Sequence, residues 1–282
     1  HQPGEYAMHD DQDHAEVVLS LDIGGTAIKS ALFADGRMLC RLPQVPSNSN
    51  GTAGQIANAI CTAMANAGGY SRLAVSIPGP FDYHRGIFRM RHKFAAANGR
   101  IFAELTGCKD AVFVHDANAF LLGELAHGAA RGVRRAGGIT LGTGLGAAFA
   151  VDGQLLTDDM GSPAGDVSIW NAPFRGGIAE DFVSARWLQA QDPTAEDVKA
   201  IARKARAGDE RARRIWRDYG QALFALLADW AKRLRPDCIV IGGQIARDLD
   251  LFGAVPAGVP VCRAQLDGDG ALYGAYAASQ RN

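Results

Sequence analysis

The sequence predicts an α/β protein of two lobes with a cleft between them. Two glycine-rich turns, Asp22–Thr26 and Gly142–Gly146, each follow a short apolar run that is typical of a buried strand. A meander of strands, a helix, a strand and a helix occurs twice along the chain. Glycine lets backbone amides approach an anion without a Cβ in the way, so the two turns indicate one polyphosphate held between two lobes. The sequence therefore favours an enzyme that moves a phosphoryl group.

Length and composition are those of an ordinary globular protein. The chain has 282 residues, enough for two lobes with a sizeable core, and 48% of them are apolar while 21% are charged. The formal net charge of −1 gives no basic bias towards nucleic acid, and no run of about 18 apolar residues predicts a membrane span. Residues 1–15 are polar and lack an apolar stretch. We expect them to be a disordered lead or a cloning remnant rather than a signal peptide.

The cysteines are scattered, odd in number and free of any Cys-x-x-Cys spacing. This pattern differs from that of a disulfide framework or a cysteine zinc site. We therefore expect buried, reduced thiols in a cytoplasmic protein. The five residues are Cys40, Cys61, Cys108, Cys238 and Cys262.

The first half of the chain is predicted to be a strand meander followed by alternating helices and strands. Ala34–Gly36 has the composition of a reversal between strands, and Gly68 would cap the first helix. The predicted strands are Glu16–Asp22, Ala27–Phe33, Met38–Val45, Ser71–Ile77 and Ala111–His115, and the predicted helices are Gln55–Ala67, Arg100–Thr106 and Ala117–Arg131.

The second half repeats this pattern. Asp152 and Gly153 form a strong turn signal, Thr194 with Asp197 resembles an N-terminal capping box, and Pro236 ends a long helix. We assign residues 16–116 together with 268–282 to a small lobe and residues 117–267 to a larger lobe. The predicted strands are Gly138–Leu141, Ala147–Val151, Gln154–Leu156 and Cys238–Ile241, and the predicted helices are Ile178–Gln189, Thr194–Ala207, Asp209–Leu234 and Gly268–Ser279.

Five segments, taken in order, resemble motifs of the ROK family of sugar kinases, named for repressors, open reading frames and kinases. The resemblance covers nearly all of the chain and implies the two-lobed actin/hexokinase-type (ribonuclease H-like) ATPase fold with a central cleft. The segments are Leu21–Thr26 and Ile139–Gly146 (phosphate motifs), Ser76–Pro80 (sugar-side loop), His115–Ala119 (catalytic segment) and Ile239–Gly243 (adenosine motif).

The resemblance implies direct, in-line transfer of the γ-phosphoryl group of ATP to a sugar hydroxyl. Such a transfer needs positioning and charge neutralisation more than covalent chemistry. Asp116 would accept the hydroxyl proton as general base. Asp116 also directly precedes the helix predicted from Ala117, so the alternative role is that of a helix N-cap, and one position can serve both roles.

The expected donor site follows from the same motifs. Asp22 would repel phosphate unless a cation lay between them, so we expect it to hold Mg²⁺ through water when ATP binds. Lys29 ends a Gly-Gly-Thr-x-Ile-Lys stretch that also occurs in polyphosphate-using glucokinases, so polyphosphate stays open beside ATP as the donor. The expected ATP and phosphate residues are Asp22, Gly24, Gly25, Thr26, Lys29, Gly142, Thr143, Gly144, Gly242 and Gly243.

The acceptor side departs from the family pattern. Many members carry a zinc site with a Gly-Glu-x-Gly-His segment and a cysteine cluster, whereas the matching segment here is Gly165–Ile169 and no cysteine lies between Cys108 and Cys238. We therefore expect no structural zinc. Asp166 and Glu180 stand at the positions of two sugar-binding carboxylates, although charge at a helix N-terminus is an alternative role for Glu180. The expected sugar residues are Gly79, His115 (where many relatives have Asn), Asp166 and Glu180.

The segment Phe81–Phe94 is unusually basic. A solvated loop over the cleft and a lid that meets phosphate or an acidic substrate both fit this composition. The basic residues are His84, Arg85, Arg89, Arg91, His92 and Lys93.

Two other classes of protein share this family's motifs, a DNA-binding repressor and a sensor without catalytic activity. Repressor members of the family carry a DNA-binding domain before the first phosphate motif, and only 21 residues precede Asp22, so we expect no nucleic-acid binding. A sensor that binds sugar and ATP without catalysis stays open because the sugar residues are altered, although Asp116 and both glycine turns favour a kinase. The resemblance also implies a homodimer. The sequence leaves the particular sugar and hydroxyl open.

Overall fold

The computed structural model describes residues 15–281, so most of the predicted lead at residues 1–15 lies outside the described residues. Two central sheets, each with helices packed against it, face one another across a cleft. Within the described residues, no helix is long and apolar enough to cross a membrane.

The first sheet has the strand order β3-β2-β1-β5-β8, with β4 paired to β2. Strands β1, β5 and β8 are parallel, so their carboxyl ends meet at one edge, where ligands bind in open α/β sheets. Asp22, Pro78 and Asp116 lie at or just beyond these ends. The strands are β1 (Val18–Ile23), β2 (Ala27–Ala34), β3 (Arg37–Arg41), β4 (Val45–Pro46), β5 (Arg72–Ile77) and β8 (Ala111–His115).

The second sheet has the order β11-β10-β9-β14-β15. Strands β9 and β14 are parallel, which brings Gly142 and Gly243 to the same edge. The strands are β9 (Arg135–Leu141), β10 (Leu145–Val151), β11 (Gln154–Leu155), β14 (Cys238–Gly242) and β15 (Val261–Arg263). Two short hairpins complete the strands: β6 (Phe81–Asp82) with β7 (Ile87–Phe88), and β12 (Pro173–Phe174) with β13 (Gly177–Ile178).

Two helices join the sheets at the base of the cleft. Helix α7 packs on the first sheet through Leu272 and Tyr276, and it crosses α3 at close range, where a side chain at Gly274 would collide with the backbone of Ala119. The helices are α1 (Ala53–Ala65), α2 (Phe102–Thr106), α3 (Asp116–His127), α4 (Ala185–Gln191), α5 (Val198–Arg206), α6 (Glu210–Leu234) and α7 (Gly270–Ser279).

Several predicted elements differ from the structure. The helix predicted at Ile178–Gln189 is wrong in its first half, because β13 and a 3-10 turn occupy 177–181 and α4 begins only after its N-cap Ser184. The strand predicted at Met38–Val45 is divided into β3 and β4. Asp197 rather than Thr194 caps α5.

The prediction for the cysteines is also wrong in part. Strand β15 was not predicted, and its pairing with β14 brings the sulfur atoms of Cys262 and Cys238 next to each other. Cys40 is exposed, while Cys61 and Cys108 are half-buried.

Candidate active site

A cavity of about 810 Å³ lies between the carboxyl ends of the two sheets. The first sheet contributes Gly25 and Asp116 to its wall, and the second contributes the turn Gly142–Gly144. The two glycine turns, more than a hundred residues apart in sequence, therefore face one space.

The first turn leaves backbone amides free. The Gly24 N–H donates to Ala27 O at 3.0 Å, which closes the turn, and Ser49 Oγ donates to Gly25 O at 2.5 Å. The next two amides, at Gly25 and Thr26, have no acceptor among residues 15–281. Consecutive free amides in a tight turn form a concave site for an anion.

The second turn has the same property. The Gly142 N–H donates to Gly144 O at 3.2 Å, and the Leu145 N–H donates to Glu180 Oε1 at 2.9 Å. The amides of Thr143 and Gly144 have no acceptor among the described residues. A Cβ at Gly144 would collide with the Glu180 carboxylate, so a side chain there would displace Glu180 from its hydrogen bond with Leu145.

Asp116 and His115 lie at the end of β8. The Ala117 N–H donates to Asp116 Oδ1 at 2.9 Å and to His115 Nδ1 at 3.1 Å, so His115 is the N-cap and Asp116 is the first residue of α3. A neutral His115 that accepts at Nδ1 carries its proton on Nε2. Asp116 Oδ2 has no partner among the described residues. Both side chains line the cavity, and His115 Nε2 and Asp116 Oδ2 are available to bind a ligand.

Asp22 lies beneath the first turn rather than on the cavity wall. Burial, and next the negative charge of Asp116, raise the pKa of the Asp22 carboxyl from 3.8 to about 6, although Lys29 on the paired strand lowers it. Two carboxylates that disfavour each other's ionisation form a donor set that a divalent cation would stabilise. The residues present therefore fit Mg²⁺ at this place.

A second cavity of about 240 Å³ adjoins the first on the far side of the glycine turns. Gly242, Gly243 and Lys29 line it, and Gly243 lines both cavities. Gly243 has φ +94°, and a side chain there would collide with the backbone of Leu141. The bare backbone at this turn lies where the sequence predicts the adenosine site.

The predicted sugar residues are only partly brought together. Gly79, His115 and Glu180 line the large cavity, and the Tyr83 ring packs edge-on against His115 with centroids 5.9 Å apart. Asp166 is exposed and lines neither cavity, and its backbone oxygen accepts from Arg233 at 2.8 Å. Thr26 also lies outside both linings.

The missing zinc motif is replaced by apolar packing. Ile169, at the position of the metal histidine, is buried in the core of the second lobe, and Phe174 packs edge-on against Phe182. No cluster of three or more His, Cys, Asp or Glu residues able to hold a metal occurs within 15–281.

Several cavity residues were not predicted as sites. Ser168 and Trp170 line the large cavity, and Trp170 is 45% exposed. Four residues of the basic segment also lie on this wall, namely Arg89, Arg91, His92 and Lys93. For these four basic residues, the density of positive charge in the segment Phe81–Phe94 is the sequence feature that could have indicated a role in the cavity.

The two lobes, the facing glycine turns and the carboxylate between them define a phosphotransferase of the actin/hexokinase type. A family model described as the ROK family matches residues 18–261. The glucokinase of Thermotoga maritima is 30% identical over 270 residues, which cover 84% of each chain. The N-acetyl-D-glucosamine kinase of Escherichia coli is 26% identical over 255 residues, which cover 80% of this chain and 83% of the relative.

The solved structures agree with these relatives. The ROK-family glucokinase from Streptomyces griseus, in complex with glucose and AMPPNP, has a TM-score of 0.75 at 25% identity and covers 92% of this chain and 97% of its own. The chain belongs to the ROK family. Its fold is the predicted two-lobed fold, and its activity class is the predicted one, a carbohydrate kinase.

Proposed function

We propose that this chain transfers the γ-phosphoryl group of ATP to a sugar hydroxyl in one in-line step, with Asp116 as general base. The observation that carries the proposal is the position of Asp116 on the cavity wall between two turns with free amides. The Ala117 N–H orients the carboxylate through Oδ1, and Oδ2 remains to accept the hydroxyl proton.

The glycine turns serve the donor in this proposal. The amides of Gly25 and Thr26 on one lobe and of Thr143 and Gly144 on the other would hold the phosphates, with Gly24 and Gly142 shaping the turns. Asp22 would hold Mg²⁺ through water, and the bound ion would neutralise phosphate charge. The smaller cavity, with its residues Lys29, Gly242 and Gly243, would take the adenosine.

Sugar binding is proposed for the part of the large cavity that Gly79, His115 and Glu180 line, with Glu180 next to the second glycine turn. His115 Nε2 would donate to a hydroxyl oxygen, and Glu180 Oε2 would accept from a hydroxyl because Oε1 already accepts from Leu145. Gly79 lines the cavity next to His115, since a Cβ placed on Gly79 would lie 3.5 Å from the His115 ring, in ordinary van der Waals contact. Asp166 is proposed on family resemblance alone.

We also propose how the chain divides into lobes, where it works and how it assembles. Residues 16–116 with 268–282 form one moving lobe and 117–267 the other, since α7 packs on the first sheet. Closure of the lobes would exclude water from the transferred group. The chain works in the cytoplasm, where ATP is supplied. It forms a homodimer, and light scattering coupled to size-exclusion chromatography tests this by measuring the molar mass in solution.

The deciding experiment measures ADP release with Mg²⁺ and ATP across a panel of free sugars. Asp116→Asn should lower kcat by at least about 100-fold while the KM for ATP changes little, because general-base catalysis contributes about 10²–10⁴-fold. The matched control is Asp110→Asn, an exposed aspartate just before the other end of the same strand, which should leave turnover unchanged.

Each outcome has a distinct meaning. Sugar-dependent turnover that survives Asp116→Asn contradicts the assignment of the base. Binding of sugar and ATP without turnover by the native chain would show a sensor instead of a kinase. Turnover with polyphosphate that exceeds turnover with ATP would replace the proposed donor.

A further inference from the structure

One wall of the large cavity carries a high density of positive charge. Arg89, Arg91, His92 and Lys93 all line the cavity wall. Their side chains have no ion-pair or hydrogen-bond partner among residues 15–281. We call these four residues the basic wall.

The basic wall is held in place by the core beneath it. Phe88, Met90 and Phe94 are buried, while the wall residues between them are exposed. The Arg89 N–H donates to Pro80 O at 3.2 Å, and the Phe94 N–H donates to Ser49 O at 2.7 Å. A segment fixed at both ends by core side chains and backbone hydrogen bonds presents its exposed side chains in one direction.

The charge of the cavity is positive on balance. Its two lining carboxylates are Asp116 and Glu180, and Glu180 already accepts from a backbone amide. Three lining side chains carry positive charge at neutral pH, namely Arg89, Arg91 and Lys93. A neutral sugar both donates and accepts hydrogen bonds, whereas arginine and lysine only donate. Guanidinium groups match carboxylate and phosphate oxygens in a two-pronged geometry.

The donor explains only one end of the wall. Lys93 lies against the first glycine turn, since a side chain at Gly25 would collide with its ammonium group. The backbone of Arg89 lies further along the wall, where its N–H donates to Pro80 O in the loop that packs next to His115. A phosphoryl donor that ends near Asp116 has no negative charge to place beyond it. The unpaired cations on the Pro80 side of the wall are therefore available to a negative charge on the acceptor.

We propose that the acceptor is a sugar bearing an anionic group, a carboxylate or a phosphate ester, and that Arg89 and Arg91 bind that group. Lys93 faces the transferred phosphoryl group. The inference rests on the proposed kinase function. In the step, the acceptor hydroxyl oxygen forms a bond to the γ-phosphorus, the bond from that phosphorus to the bridging oxygen of ADP breaks, and the hydroxyl proton passes to Asp116.

Matched acceptors test the proposal. The kcat/KM values of glucose, glucuronate and glucose 1-phosphate are compared, together with the equivalent neutral and acidic forms of galactose and mannose. We expect at least one acidic acceptor to exceed its neutral counterpart by about tenfold or more, because charged hydrogen bonds contribute this much. The carboxylate and phosphate arms show which oxyanion the site takes. Raising the salt concentration should reduce the preference.

The variant Arg89→Gln/Arg91→Gln should lower the acidic-to-neutral ratio by about 10- to 100-fold. Arg85→Gln, in the same segment but outside the cavity lining, is the matched control and should keep the ratio. A preference for neutral sugars in the native chain, or a ratio unchanged by the double variant, overturns the inference and leaves the kinase proposal standing.

Calorimetric binding without ATP separates the two proposals further. If no acceptor is turned over but acidic sugars bind in a manner that depends on Arg89 and Arg91, the kinase proposal fails and the acceptor class stands. If neither acidic nor neutral sugars bind or react, both are wrong.

Discussion

The carboxyl of Asp22 makes the folded protein less stable at neutral pH, and Asp22→Asn should relieve this cost. The pKa of Asp22 is raised from 3.8 to about 6 by burial and by Asp116. The folded protein therefore binds more protons than the unfolded chain between these values, so stability falls as pH rises through that window. At about 1.4 kcal/mol per pKa unit, the cost is about 1 kcal/mol at pH 4.5 and about 3 kcal/mol at pH 8.

The assay is urea unfolding of the native chain and of Asp22→Asn at several pH values from about 4.5 to 8. The variant should be more stable by about 3 kcal/mol at the upper end and by about 1 kcal/mol at the lower end. Asp218→Asn, on the exposed face of α6, is the control and should show no pH-dependent gain. A loss of stability in Asp22→Asn that is the same at every pH would refute the electrostatic reasoning. The gain should come with loss of Mg²⁺-dependent turnover.

Two other residues give predictions on stability. Glu124 is buried and accepts hydrogen bonds from the amides of Gln265, Leu266 and Ala129. Glu124→Gln should therefore lower the free energy of unfolding by about 1.5–3 kcal/mol. It should also raise the KM for ATP, because the loop that these bonds hold lines the smaller cavity. Glu124→Gln with unchanged stability would contradict this. Gly274→Ala should cost about 1–3 kcal/mol or more in thermal unfolding, because its Cβ would meet the backbone of α3, whereas Gly69→Ala meets open space and should cost little.

The features that could be predicted from sequence are those fixed by local backbone chemistry. The turns after β1 and β9 follow from glycines behind apolar runs, and Gly107 ends α2 in a left-handed conformation with φ 77° that glycine adopts readily. Asp116 follows β8 because strand ends and helix starts have clear local signals. Each of these depends on a few adjacent residues.

The features that could not be predicted depend on partners distant in sequence. Residues 178–181 were predicted as helix, but Glu180 accepts from the distant Leu145 amide, and the segment forms the end of β13 and a 3-10 turn. Strand β15 is three residues long and is defined by pairing with β14. Lys93 meets Gly25 through a fold that brings together residues 68 apart.

The two ends of the cleft differ in how they are built, and this difference explains why the fold does not determine the acceptor. The proposed donor end is built largely of backbone amides whose positions follow from sheet register, with the side chains of Asp22 and Lys29 close to them. The acceptor end consists of side chains on segments anchored separately, such as Arg89 over buried Phe88 and Met90. Its charge can change without disturbing the core, because the wall residues are exposed and the anchors Phe88, Met90 and Phe94 are buried. The family therefore supports a carbohydrate kinase, whereas the class of acceptor is proposed from the charge of the basic wall.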